Sequence, residues 1–204
     1  MRLVDRLGRQ IENLRISVTD RCNFRCTYCM PAEGLDWLGK SQILSFEEIE
    51  RLARVSVGAG ITKIRVTGGE PLVRKDLPKL IGMLSRIPGL KDLSLTTNGL
   101  LLEDQAPALR EAGLRRLNVS LDSLVRETFQ EIARRDGLAQ TLRGLDAAAE
   151  HFDGPVKVNA VLMRGVNDDE IPKFASLART RGFEIRFIEY MPLDADESWS
   201  KTQL

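Results

Sequence analysis

The sequence predicts an α/β fold, a partial (βα)6 TIM-like barrel with one polar face, and three observations predict it. Short β-rich runs alternate with helical patterns from Leu14 onward, the signature of βα units around a parallel sheet. Six such runs can be counted. Each is apolar at one side-chain parity and polar at the other, so helices cover one face only. A doubly wound sheet would bury both faces and read as near-continuous apolar runs.

The first strand is expected over 14–18, with Leu14, Ile16 and Val18 inward and Arg15, Ser17 and Thr19 on the polar side. A helix over 45–57 opens on Ser45, which with Glu48 makes a capping box. The run GAGIT closes it and introduces the second strand, 63–67, which sets Ile64 and Val66 against Lys63, Arg65 and Thr67. A helix over 76–85 leads to the third strand, 92–96, with Leu93 and Leu95 against Ser94 and Thr96. The next helix, 103–111, carries Asp104 at its start, where negative charge suits the helix dipole, and ends at EAGLRR. The fourth strand, 116–121, alternates Leu117, Val119 and Leu121 with Asn118 and Ser120. A helix over 138–150 precedes the fifth strand, 156–161, where Val156, Val158 and Ala160 oppose Lys157 and Asn159. A final helix over 168–181, with Asp168 and Asp169 at its start, leads to the sixth strand, 184–188. Residues 1–192 thus read as one core domain, and 193–204 as a polar tail leading towards a C-terminal region that this sequence lacks. The barrel is expected to be unclosed, with exposed apolar edge surface.

Composition excludes some functions. With 204 residues, 43% hydrophobic and 29% charged, the chain can bury a real core. Its formal charge of +1 provides no global field to recruit nucleic acid or an anionic membrane. No stretch approaches the roughly 18 to 20 apolar residues of a membrane span, and the N-terminus has no apolar core of signal-peptide length. A cytoplasmic protein is expected.

Five cations share the polar parity on four strands: Arg15, Lys63, Arg65, Lys157 and Arg186. Like charges converging in a partly desolvated cavity repel unless an anion neutralises them, and a phosphate-rich small molecule would do so. Pairing with Asp122, Glu70 or Glu189 is the alternative.

All three cysteines, Cys22, Cys26 and Cys29, lie in one C-x3-C-x2-C loop immediately after the first strand. Barrel enzymes keep their chemistry at this end of the strands. Three thiolates can hold three irons of a [4Fe–4S] cluster and leave the fourth open. A structural zinc would want a fourth protein ligand, and the sole histidine, His151, stands far along the chain at a helix end. Inert buried thiols conflict with polar neighbours Asp20, Arg21, Asn23 and Arg25.

This loop, with an aromatic before its last cysteine, resembles the signature of the radical S-adenosylmethionine (SAM) superfamily. The resemblance implies a radical SAM core, a [4Fe–4S] cluster on Cys22, Cys26 and Cys29, and reductive cleavage of adenosylmethionine to a 5′-deoxyadenosyl radical. The segment Gly68-Gly69-Glu70-Pro71 resembles the superfamily's GGEP motif, which approaches the methionyl amino group. More narrowly, LRISVTDRCNFRCTYCMP, KIRVTGGEPLVR, LTTNG, LNVSLDS, VKVN and IRFIEYMP resemble the GTP 3′,8-cyclase family of molybdenum cofactor biosynthesis. That resemblance implies that Arg15, Lys63, Arg65, Thr96, Lys157 and Arg186 contact GTP, while Tyr28, Gly69, Glu70, Ser120 and Met191 contact adenosylmethionine. It implies conversion of GTP to 3′,8-cyclo-7,8-dihydro-GTP, an electron donor such as flavodoxin or ferredoxin, a downstream pyranopterin-forming enzyme, and a homodimer as a further option. The family carries a second [4Fe–4S] cluster on three later cysteines, and no cysteine follows Cys29 here. A peptide-maturing radical enzyme, or a non-catalytic iron–sulfur or nucleotide-binding protein, are the alternatives. Trp37, Phe46, Phe129 and Phe152 are expected to serve packing, and the charged stretch 131–136 to be solvated surface without a role.

Overall fold

A computed structural model describes residues 3–191. Its six strands are β1 (Asn13–Ser17), β2 (Lys63–Thr67), β3 (Asp92–Thr97), β4 (Arg116–Ser120), β5 (Lys157–Leu162) and β6 (Glu184–Glu189). They form one parallel sheet in sequential order, β1-β2-β3-β4-β5-β6. The expected strand positions hold to within one residue at either end. The connections carry α1 (Phe46–Gly58), α2 (Leu77–Ser85), α3 (Leu102–Glu111), α4 (Arg126–Ala133), α5 (Leu138–His151) and α6 (Ile171–Arg181).

The side-chain alternation determines which face meets the helices. Ile64, Val66, Leu95, Val119, Val158 and Ala160 are completely buried, in one core with Leu80, Leu84 and Leu109 of the helices and Phe174 of α6. Burying each large side chain stabilises by about 1.5–3 kcal/mol, and this supplies the packing energy that short helices lack by themselves. The capping box forms as expected: the Glu48 amide donates to Ser45 Oγ at 3.2 Å, and the Ser45 amide donates to Glu48 Oε2 at 2.7 Å.

Two expectations about helices are corrected. The helix expected over 168–181 starts as a short 3-10 turn, Asp168–Glu170, and becomes α-helical at Ile171. Pro172 then sits in the first turn, where its missing N–H costs nothing. The β4–β5 crossover holds two helices, not one. The unexpected helix is α4, whose apolar stripe is only Phe129, Ile132 and Ala133, too short to register as periodicity.

The polar face of the sheet is concave: Arg15 of β1, Lys63 and Arg65 of β2, Ser94 of β3 and Arg116 of β4 line one hollow there, as a partial barrel requires. β1 and β6 do not pair with each other, so both are edges. At the β6 edge Phe187, Ile188 and Met191 are 42%, 36% and 46% exposed, the apolar edge surface expected from an unclosed barrel. Among the described residues no helix is long and apolar enough to cross a membrane. The polar tail expected over 193–204 lies outside the described residues.

Candidate active site

The cysteine loop begins where β1 ends, and its first residues lie against the chain following β2. The Gly69 amide donates to the Thr19 carbonyl and the Glu70 amide to the Arg21 carbonyl, both at 2.7 Å. Only glycine permits this approach. A Cβ on Gly68 would stand 2.7 Å from the Thr19 carbonyl oxygen, and one on Gly69 would stand 2.5 Å from that of Arg21 and closer still to that of Asp20. The neighbour these glycines admit is thus the backbone leading into Cys22. Gly69 keeps an exposed side.

Glu70, expected at a ligand ammonium, is 1% exposed and bonded within the protein. Its Oε1 accepts from the Thr97 hydroxyl at 2.7 Å and the Leu72 amide at 2.9 Å, and its Oε2 accepts from the Asn98 amide at 2.7 Å. The carboxylate braces the turn after β3 against the turn after β2. Burial raises its pKa above the ordinary 4.5, against the lowering effect of these bonds. Protonation is then retained in the folded chain at pH values where the unfolded chain has lost it. This contribution to stability is complete below pH 4.5 and is lost as pH rises through the raised folded value. In the metal-free chain, Glu70→Gln is expected to cost about 2 kcal/mol, since an amide NH2 must face one of three donors. The deficit should shrink as pH rises from 4.5, measured by urea unfolding across pH; a deficit that grows with pH would contradict this role.

The far side of the loop rests on α4. The Arg25 amide donates to the Ala133 carbonyl at 3.0 Å and the Thr27 amide to the Ile132 carbonyl at 2.9 Å. Phe24 meets Phe129 edge to face, with ring centres 5.6 Å apart. Arg134, in the left-handed region at φ 51°, donates to the Met30 carbonyl at 3.0 Å. The stretch 131–136, expected to have no role, is therefore the support of the cysteine loop. Its contribution is two backbone carbonyls, which composition does not reveal, and the Arg134 guanidinium.

Cys22 and Cys26 are half-buried and Cys29 is exposed. Burial pushes all three thiols up, and the Cys26 thiol also feels Asp122, Cys22 and Cys29. The three lie on one loop of eight residues, and among the described residues no three His, Cys, Asp or Glu side chains gather as donors to a single ion. Three thiols on one loop, without a fourth protein donor, suit three irons of one cluster, so the donor set fits a [4Fe–4S] group.

Tyr28, between the second and third cysteines, donates to Asp122 Oδ2 at 2.7 Å, while Asp122 Oδ1 accepts from the Val161 amide at 2.8 Å. Desolvation raises the pKa of this buried carboxyl. Asn167 fastens the same corner, its Nδ2 donating to the carbonyls of Asp122 at 2.6 Å and Val161 at 2.8 Å. A small pocket brings together Phe24, Cys26, Tyr28, Ser120 and Asp122. Of the residues expected at adenosylmethionine, Tyr28 and Ser120 thus meet, whereas Gly69, Glu70 and Met191 are not among the pocket's lining residues. Asp122 and Asn167 were missed as parts of this site. The polar parity of the fourth strand placed Asp122, but nothing local marked Asn167.

Strand register arranges the cations in rows. Arg15 pairs with Arg65, Arg65 with Ser94 and Ser94 with Arg116, across β1 to β4. The next row on this face runs through Thr96, Asn118, Lys157 and Glu184. A cavity of about 270 Å³ is lined by Arg15, Lys63, Arg65, Asp92, Ser94 and Arg116, among others. Lys157 and Arg186 pair with Glu184, at 3.6 and 2.7 Å. The expected alternative partners differ because Asp122 and Glu70 are already bonded to their own turns. Among the described residues Arg15, Lys63 and Arg65 form no ion pair. Arg15, Lys63 and Arg186 are exposed, so the desolvated cavity expected for them is an open concave face here.

A sequence profile of the Radical SAM superfamily matches residues 16–178. The GTP 3′,8-cyclase of Paenarthrobacter nicotinovorans is 53% identical over 203 residues, covering 99% of this chain and 57% of that protein. The mitochondrial GTP 3′,8-cyclase of Arabidopsis thaliana is 50% identical over 194 residues, covering 95% and 50%. The chain therefore spans about half the length of these relatives. Among solved structures, Streptococcus suis SuiB bound to S-adenosylmethionine superposes with a TM-score of 0.75 at 16% identity, over 93% of this chain and 43% of that one. Methylornithine synthase (PylB) gives 0.72 at 17%, over 94% and 57%. At such identities the likeness speaks for the fold. With a parallel curved sheet, a three-cysteine loop at the carboxyl end of its first strand and a family match across 16–178, the chain belongs to the Radical SAM superfamily.

Proposed function

We propose that this chain is the adenosylmethionine-cleaving, triphosphate-holding part of a GTP 3′,8-cyclase of molybdenum cofactor biosynthesis. The observation that carries this reading is one concave polar face with the cysteine loop beyond the strands' carboxyl ends and unpaired cations along the strands. When bound, a [4Fe–4S] cluster supplies one electron for cleavage of adenosylmethionine and an open iron for its amino and carboxylate groups.

The residues of the chain do the positioning. Cys22, Cys26 and Cys29 hold the cluster, with their loop clamped between Gly68–Glu70 and α4. Tyr28, anchored on Asp122, and Ser120 line the space beside it, joined by Gly69 and Met191 in the family's pattern, while Glu70 braces the turns behind them. Arg15, Lys63, Arg65, Lys157 and Arg186 neutralise the triphosphate and Thr96 contributes a hydroxyl, so that the ribose is held towards the cluster end. Fixing the sugar carbon near both the hydrogen-abstracting group and the purine converts a bimolecular encounter into a local one. A flavodoxin- or ferredoxin-type donor, a downstream pyranopterin-forming enzyme and a cytoplasmic setting belong to this reading.

The test is anaerobic iron–sulfur reconstitution of the chain, then reduction with adenosylmethionine and GTP. Expected are about four irons per chain and 5′-deoxyadenosine. Little or no cyclised nucleotide should form, because the sequence has no cysteine after Cys29 to hold the family's second cluster. Absence of deoxyadenosine from a fully loaded chain would overturn the radical-enzyme reading.

A further inference from the structure

We propose that Arg116, on β4, is a further polyphosphate-binding residue, held in readiness by Asp92, and that it completes a row of three arginines across the concave face. The inference rests on the GTP reading above and extends it to a residue outside the expected set.

Register carries the placement. Arg15, Arg65 and Arg116 occupy one level of the sheet, with only Ser94 of β3 between the second and third. Ser94 is small and buried, its hydroxyl turned to the Ile64 carbonyl, so no bulky side chain separates the guanidinium groups. All four residues border the same cavity of about 270 Å³, as do Lys63 and Asp92. Four of the lining residues are thus cations and one is a carboxylate. That imbalance suits an anion carrying several charges, because it leaves a strong local field even after Asp92 is counted.

Electrostatics links Arg116 to the others. The charges of Arg15 and Arg116 both act on Arg65 to disfavour its protonated form, beyond what desolvation does. Arg116 therefore belongs to the same repelling group. Among the described residues its carboxylate partner is Asp92, on the neighbouring strand. A guanidinium fork bonded through one nitrogen to Asp92 retains free donors. It can present them to a phosphate oxygen while Asp92 limits its rotamers, which reduces the entropy lost on binding. Arg116 also borders, together with Lys157 and Glu184, a second hollow between β4, β5 and β6, so it links the Arg15–Arg65 row to Lys157.

The test compares binding of inorganic triphosphate, GTP and GMP to the chain and to Arg116→Ala, Arg116→Lys, Asp92→Asn and Arg65→Ala, by calorimetry, with thermal unfolding as a control. Losing a charged hydrogen bond should weaken triphosphate and GTP about tenfold in Arg116→Ala and leave GMP within about twofold. Arg116→Lys should recover part of the loss, since it keeps the charge without the fork. Asp92→Asn should tighten triphosphate a few-fold, because removing a negative charge strengthens the field. If Arg116 and Asp92 are only a strand-linking pair, both variants will lower the unfolding temperature and leave triphosphate binding unchanged, and the proposal falls. If Arg65→Ala weakens triphosphate and Arg116→Ala does not, this inference alone fails. If the unaltered chain binds neither triphosphate nor GTP, the GTP reading fails with it.

Discussion

Cys26→Ala should leave a folded chain that cannot carry a cluster. Cys26 stands at the centre of the loop: its carbonyl accepts the Cys29 amide at 2.9 Å and the Met30 amide at 3.2 Å, bonds that the substitution leaves intact. The thiol is what disappears, and two remaining cysteines cannot hold three irons. Iron per chain after anaerobic reconstitution should fall from about four to near zero, with loss of the reduced-cluster paramagnetic signal and of deoxyadenosine formation. The unfolding midpoint of the metal-free chain should move little, because the lost atom leaves a void of about one sulfur costing about 1 kcal/mol. A variant that loads four irons and keeps the spectrum of the unaltered protein would show that Cys26 is not a ligand.

Gly69→Ala should destabilise the chain strongly. The added Cβ would lie 2.5 Å from the Arg21 carbonyl oxygen and 2.8 Å from the Arg21 carbonyl carbon, and both are backbone atoms that no rotamer change can remove. The loop must move, breaking the 2.7 Å bonds that Gly69 and Glu70 make to it. Overpacking of this kind costs about 3 kcal/mol, or about 6–12 °C in unfolding midpoint for a chain of this size. Displacing Asp20 and Arg21 also displaces Cys22, so iron loading should fall in parallel. Gly58→Ala is the control. Gly58 closes α1, has a normal helical conformation, and its added Cβ would meet nothing within 4 Å, so it should be neutral or stabilise slightly. Equal losses in both variants would refute the steric account.

The two predictions separate what a sequence states from what it leaves implicit. Cysteine spacing is covalent and local, so the loop's donor set was legible without knowing where the loop lies. GGEP was legible as a pattern, but its reason was not: the glycines admit Asp20 and Arg21, 49 and 48 residues earlier for Gly69, and that distance closes only when β1 and β2 pair. Glu70 likewise reads as a free acceptor until Thr97 and Asn98 are brought to it. α4 went unnoticed because three apolar residues among charges make a weak stripe, and because, beside the Phe129 ring, what it offers the loop is carbonyl oxygens, common to every residue type.

Alternation of apolar and polar residues determined by itself the strands, the helix-covered face and the cationic character of the other, because side-chain direction in a strand depends only on parity. Register decided the rest. Arg15, Arg65 and Arg116 become a row, Lys157 finds Glu184 in place of more distant carboxylates, and Tyr28 reaches Asp122, through contacts between residues 22 to 94 positions apart. Such contacts are made by the packing of the whole sheet against its helices, and no window of sequence short enough to read contains them.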